Sequence, residues 1–131
     1  MGTRSSIHVI RPDGSTRGIY CHWDGYPSGV GKTLCENFDS DELASELIAL
    51  GDCSSVCDAK CLGEVVAYHR DKDEPWDDVK PTKSDCVRDA VTIYSNAWCE
   101  YHYFRPVGGS WLMYVDGGLV PIDYVGLDDD E

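Results

Sequence analysis

The chain has 131 residues, is 42% hydrophobic and carries a formal net charge of −13. That length suits one folded domain with a single core. No run approaches the roughly 18 apolar residues of a membrane-spanning helix, and a surface this acidic repels phosphate backbones, so membrane insertion and direct nucleic-acid binding are both disfavoured.

From the N-terminus, residues 6–10 alternate apolar and polar, Pro12-Asp13-Gly14 forms a corner, and residues 16–22 resume the extended pattern. This reads as a β-hairpin with Ile7, Val9, Ile19 and Cys21 on its inner face. Val30, Leu34 and Phe38 then recur at helical spacing. Asp39 and Glu42 stand at capping-box spacing before Leu43, Leu47, Ile48 and Leu50, and Gly51 stops that helix. Residues 64–69 read as a strand, and the polar, Pro-broken residues 70–81 as a long exposed loop. Ser84 and Asp85 precede a helix that aligns Val87, Ala90, Val91 and Tyr94. Aromatic strands over 100–104 and 111–115 turn at Gly108-Gly109, and a last strand covers 119–122. The sum is an α+β fold: a single domain over residues 1–127 with an N-terminal hairpin, two to three helices and a mainly antiparallel sheet. The acidic tail, 128–131, is expected to be disordered.

The charge is uneven. Residues 1–35 set Arg4, Arg11, Arg17 and Lys32 against Asp13 and Asp24, a balance of +2, so the remainder carries −15 of the total −13. Such a surface suits a basic partner, including a protein whose groove normally holds phosphates; keeping the chain soluble is its simpler role. The seven cysteines are an odd number, and no charged-then-apolar leader opens the sequence. Both point to reduced thiols in a cytoplasm.

Four local patterns carry chemistry. Gly31-Lys32-Thr33 resembles the end of a phosphate loop, but the glycine needed five positions earlier is replaced by Tyr26. Gly29 and Gly31 then serve a tight turn into a helix, with Lys32 solvated. His22 and Asp24 flank Trp23 and would share one face of a strand, as an acid–base pair would require, but no nucleophile is placed by spacing. The simpler role for Asp24 is to cap the Gly25 turn. Cys53, Cys57 and Cys61 repeat every four residues, which on a helix aligns three thiols and offers zinc a site, while cysteine also packs as a small apolar residue. Asp71, Asp73, Glu74, Asp77 and Asp78 surround Trp76, a composition suited to a protein-binding patch or, equally, to a solvated loop.

The string Tyr20-Cys21-His22-Trp23-Asp24-Gly25-Tyr26-Pro27, the following Gly29-Val30-Gly31-Lys32-Thr33 and the opening residues 1–5 resemble a family of small bacteriophage and prophage proteins. The similarity covers about the first 75 residues. It implies a cytoplasmic accessory protein of a phage or mobile element, and it carries no catalytic residues with it. The Cys53, Cys57, Cys61 array departs from that family's pattern.

Taken together, the expectation is a non-enzymatic protein that inhibits a host-defence protein, such as a CRISPR effector or another nuclease. It would act through an acidic surface centred on Asp71, Asp73, Glu74, Trp76, Asp77 and Asp78. His22, Trp23, Asp24, Tyr26 and Lys32 form a secondary candidate group. The expected partner is a host protein with a basic surface, without cofactor or metal; the aromatic content also raises a homodimer. The alternatives are a small enzyme using His22, Asp24 and Lys32, or a zinc-stabilised structural module.

Overall fold

The computed structural model describes residues 3–122. Among them are eight strands and five α-helices. The strands are β1 (Ser5–Ile10), β2 (Thr16–Cys21), β3 (Cys53–Ser55), β4 (Val66–Ala67), β5 (Thr82–Ser84), β6 (Tyr101–Pro106), β7 (Leu112–Val115) and β8 (Gly118–Pro121). The helices are α1 (Lys32–Asn37), α2 (Asp41–Ala49), α3 (Tyr68–Lys72), α4 (Trp76–Val79) and α5 (Val87–Ser95). The α+β class and the N-terminal hairpin stand as expected. The sheet is mainly antiparallel, as expected, but mixed: β1 pairs with β6, and β2 with β3, in parallel, and the other five pairings are antiparallel. The helices number five rather than two or three among the described residues. The tail at 128–131 lies outside them.

The order β4-β3-β2-β1-β6-β7-β8 places the hairpin at the centre of the sheet, and β5 joins the same edge of β2 that β3 leaves open. The hairpin closes through Arg11 N–H to the Ser15 carbonyl at 2.8 Å, with Gly14 at φ 89°. Strand register sorts the central side chains into rows. Ile19, Ile7 and Tyr103 stand side by side, and all are fully buried. On that face lies the main core, where Val30, Leu34 and Phe38 pack with Ala44, Leu47 and Ile48 of α2. The opposite face takes α5: the Tyr94 hydroxyl donates to the Gly18 carbonyl at 3.1 Å, and its ring meets His8 edge-on. The sheet is thus covered on both sides, a three-layer arrangement.

Local details depart from the sequence reading for identifiable reasons. Ser40, not Asp39, caps α2, accepting from the Leu43 amide at 3.1 Å. Asp39 instead takes a hydrogen bond from Arg105 Nε at 3.0 Å. Leu43 is exposed, and Ala44 holds the buried position assigned to it. Gly51 ends the helix as expected, at φ 83°. The strand expected over 64–69 shrinks to β4, because Tyr68 already begins α3. The loop expected over 70–81 carries α4 and most of α3.

Candidate functional site

The acidic segment is built rather than loose. Arg70 and Asp71 fix its start: Arg70 Nη2 lies 2.9 Å from Asp71 Oδ2, which also accepts from the Ala67 amide at 2.8 Å. Arg70 Nη1 further donates to the Leu62 carbonyl at 3.0 Å. The Arg70 hydrogen bond, with that of the Ala67 amide, holds the Asp71 carboxyl below its ordinary pKa. Asp71 is therefore tied into the backbone. Asp73 turns the chain in the left-handed region at φ 57°, which Asp tolerates better than most residues. Glu74 N–H returns to the Tyr68 carbonyl at 3.0 Å. His69 Nδ1 donates to the Glu74 carbonyl at 2.8 Å, which fixes the proton on that nitrogen.

On this frame Asp73, Glu74, Asp77 and Asp78 all remain exposed. Asp77 lies 3.6 Å from Lys80, a surface pair of little energy. Trp76 is 37% exposed, its ring edge-on to His69, so it is neither core nor free in solvent. Asp73, Glu74, Asp77 and Asp78 are thus presented as a group around one half-covered indole.

The secondary group is dispersed into separate contacts. His22 lies beyond the end of β2, and its Nδ1 is 2.7 Å from the Tyr20 hydroxyl. Asp24 sits at φ 57° and accepts from the Tyr26 hydroxyl at 3.2 Å. The expected shared strand face is therefore absent, because β2 stops at Cys21 and Asp24 enters a left-handed turn. Trp23 is 43% exposed and packs edge-on against His22. Lys32 begins α1 after a five-residue π-helical turn, Pro27–Gly31. The amides of that turn are already committed: Gly29 to the Tyr26 carbonyl, Val30 to Asp24, and Lys32 to Gly29 and Pro27. A cradle for phosphate needs those N–H groups aimed outward, so the resemblance to a phosphate loop ends at the residue letters. Gly29 is required for packing, since a Cβ there would meet the Asp24 carbonyl oxygen at 2.4 Å.

The cysteine array does not lie on a helix. Cys53 is buried in β3, Cys57 is partly covered in a turn, and Cys61 is exposed. Burial pushes the Cys57 thiol up to about 11, away from the thiolate that zinc requires. No group of three or more His, Cys, Asp or Glu among the described residues could hold a metal ion.

Two features escaped the sequence reading. Trp98, just beyond α5, is 76% exposed and sits at φ 70°, a conformation costly for so large a side chain. Only its place after Ser95-Asn96-Ala97, where a helix commonly ends in glycine, hinted at it. The second is a buried polar chain on the α5 face. Ser6 Oγ lies 2.7 Å from His102 Nδ1 and 2.8 Å from His8 Nε2, and His102 Nε2 lies 3.2 Å from Ser95 Oγ. His8 Nδ1 is buried with no partner among the described residues. Buried N–H groups are left orphaned more rarely than acceptors, and that rule assigns the protons. His8 Nε2 donates to Ser6, Ser6 donates to His102 Nδ1, and His102 Nε2 donates to Ser95. Burial holds both imidazoles neutral, with the His8 pKa lowered to about 3. Period-two alternation places Ser6 and His8 on one face, but the arrival of His102 depends on the non-local pairing of β1 with β6.

No helix among the described residues is long and apolar enough to cross a membrane. Comparison of the chain with protein-family models, with curated proteins and with solved structures gives no match.

Proposed function

We propose that this chain is a non-enzymatic binding protein whose acidic surface docks on a basic, nucleic-acid-binding surface of a partner protein. The observation that supports it is the segment from α3 to α4, which holds Asp73, Glu74, Asp77 and Asp78 exposed around the half-covered Trp76. Carboxylates at that density imitate a phosphate backbone electrostatically, and a partly buried aromatic supplies the desolvated anchor that interfaces need. The balance of −15 beyond residue 35 extends the same field over the rest of the surface.

The family resemblance adds a setting. The protein acts as a bacteriophage or mobile-element accessory factor in the host cytoplasm, and its partner is a host-defence nuclease, a CRISPR effector being one case. Occupation of the nuclease channel excludes DNA, so inhibition is competitive with nucleic acid. The test is DNA cleavage by purified effector nucleases with increasing amounts of this protein. The expected result is inhibition that excess DNA relieves; inhibition indifferent to DNA concentration would place the contact outside the channel.

A further inference from the structure

At the turn end of the hairpin, a cavity of about 170 Å³ opens between the sheet and α2. Register builds it. Val9 pairs with Arg17 on one side and with Arg105 on the other, so two guanidinium side chains flank one valine on the core face of the sheet. Arg11 adds a third. Three of the chain's eleven Lys and Arg residues therefore converge on one small cavity of a protein with net charge −13.

The three cations are not equivalent. Arg105 is buried and neutralised by Asp39 and Asp41. Arg11 and Arg17 form no ion pair with a described residue. The fully buried Ala44 and Ile48, with Val9, make an apolar floor, Ser45 and the Arg105-paired Asp41 also line the cavity, and the exposed Val107 stands at the rim.

We propose that this cavity binds a small organic carboxylate, its anionic end on Arg17 and Arg11 and its apolar body over Val9, Ala44 and Ile48. The planar guanidinium matches a carboxylate through two parallel hydrogen bonds. Inorganic phosphate fits less well, because its further charged oxygens would meet the apolar floor and the Asp41 carboxylate. A cavity of roughly 150 Å³ holds benzene, so this one, open at the rim, admits a ligand of roughly six to nine non-hydrogen atoms. The site is independent of the acidic segment and of any macromolecular partner.

The test is titration of the protein with butyrate, benzoate and inorganic phosphate, followed by amide chemical shifts in NMR. Benzoate or butyrate is expected to shift Val9, Arg17, Ala44 and Ile48 saturably, with phosphate at least tenfold weaker. Arg17→Gln should weaken carboxylate binding at least tenfold, and so should Val107→Asp, which sets a like charge at the rim. Arg88→Gln, at an exposed position on α5, should leave it unchanged. Both site variants alter side chains outside the fully buried core, and their melting curves check that the fold survives. Absence of saturable shifts, equal binding by Arg17→Gln, or phosphate binding as tightly as benzoate would each overturn the proposal.

Discussion

The His69 imidazole meets the Trp76 indole edge-on, with ring centroids 5.2 Å apart. Because His69 is itself pinned to the Glu74 carbonyl, the turn that displays the carboxylates also positions the indole. Beneath the ring lies Gly51, where an added Cβ would sit 3.1 Å from Trp76 Cζ3. Trp76→Ala is therefore expected to weaken partner binding at least tenfold, the usual loss for an aromatic anchor. Its cost to the fold should stay near 1 to 2 kcal/mol, since the ring is only partly covered. His69→Ala should fall between Trp76→Ala and the unmodified protein in affinity. Unchanged affinity in Trp76→Ala would remove the indole from the interface.

The buried Arg105 predicts an asymmetry. Its side chain is 7% exposed, whereas Asp39 and Asp41 reach solvent. Replacing Arg105 by Met leaves two carboxylates that water can accept. Replacing both Asp39 and Asp41 by Asn leaves a buried, uncompensated cation, the more costly outcome. Thermal melting should show a larger loss for the Asn pair than for Arg105→Met. The reverse order would mean that the guanidinium reaches solvent when its partners are gone.

Gly18 predicts a severe steric effect. A Cβ there would lie 1.9 Å from His8 Nδ1, because the imidazole stacks on Phe104 at 4.3 Å and lies across Gly18. Gly18→Ala should cost at least about 3 kcal/mol in denaturant unfolding. Combined with His8→Ala, the loss should be smaller than the sum of the two single losses, because the second change removes the clash. Strict additivity would contradict the geometry.

The buried His8 and the partly buried Asp52 set opposing pH slopes. His8 ordinarily takes up its proton at 6.5, but in the folded chain only near 3. The unfolded chain binds the extra proton across that window, so His8 makes stability fall as pH drops from 6.5 toward 3. Asp52 behaves in the opposite sense. Desolvation raises it from 3.8 to about 6, against the Tyr20 amide it accepts from at 2.9 Å. The folded chain then holds the extra proton, and the Asp52 contribution is lost as pH rises through about 6. Each slope reaches at most about 1.4 kcal/mol per pH unit. Asp52→Asn should therefore steepen the loss of stability on acidification between pH 6 and 4, measured by urea unfolding. Parallel profiles for the variant and the unmodified protein would contradict the raised Asp52 pKa.

What the sequence disclosed follows from which forces are local. The hairpin was legible because alternation and the Pro12-Asp13-Gly14 corner act within a few residues. The Val30, Leu34, Phe38 spacing held for the same reason, and all three are buried. Strand β5 was missed because Thr82, Lys83 and Ser84 have no apolar alternation; only its pairing with β2 makes them a strand. The short α3 was hidden by Val66 and Ala67, which suggested a longer strand. At the candidate surface the composition was readable, but the inward commitment of Asp71 was not, since it depends on Arg70 reaching the Leu62 and Val65 carbonyls. The arginine cavity needed the parallel arrival of β6, a contact nearly a hundred residues distant along the chain.

The central claim concerns the exposed carboxylates, and one comparison addresses it most directly. The partner is captured from host lysate, identified and purified, and its affinity is measured for the unmodified protein and for a variant carrying Asp73→Asn, Glu74→Gln, Asp77→Asn and Asp78→Asn. Both are titrated at about 0.1 M and about 1 M salt, where the screening length falls from about 10 Å to about 3 Å. Neutralisation should weaken binding at least tenfold at low salt, and the unmodified protein should lose most of that advantage at high salt. Affinity unchanged by both neutralisation and salt would contradict an acidic docking surface.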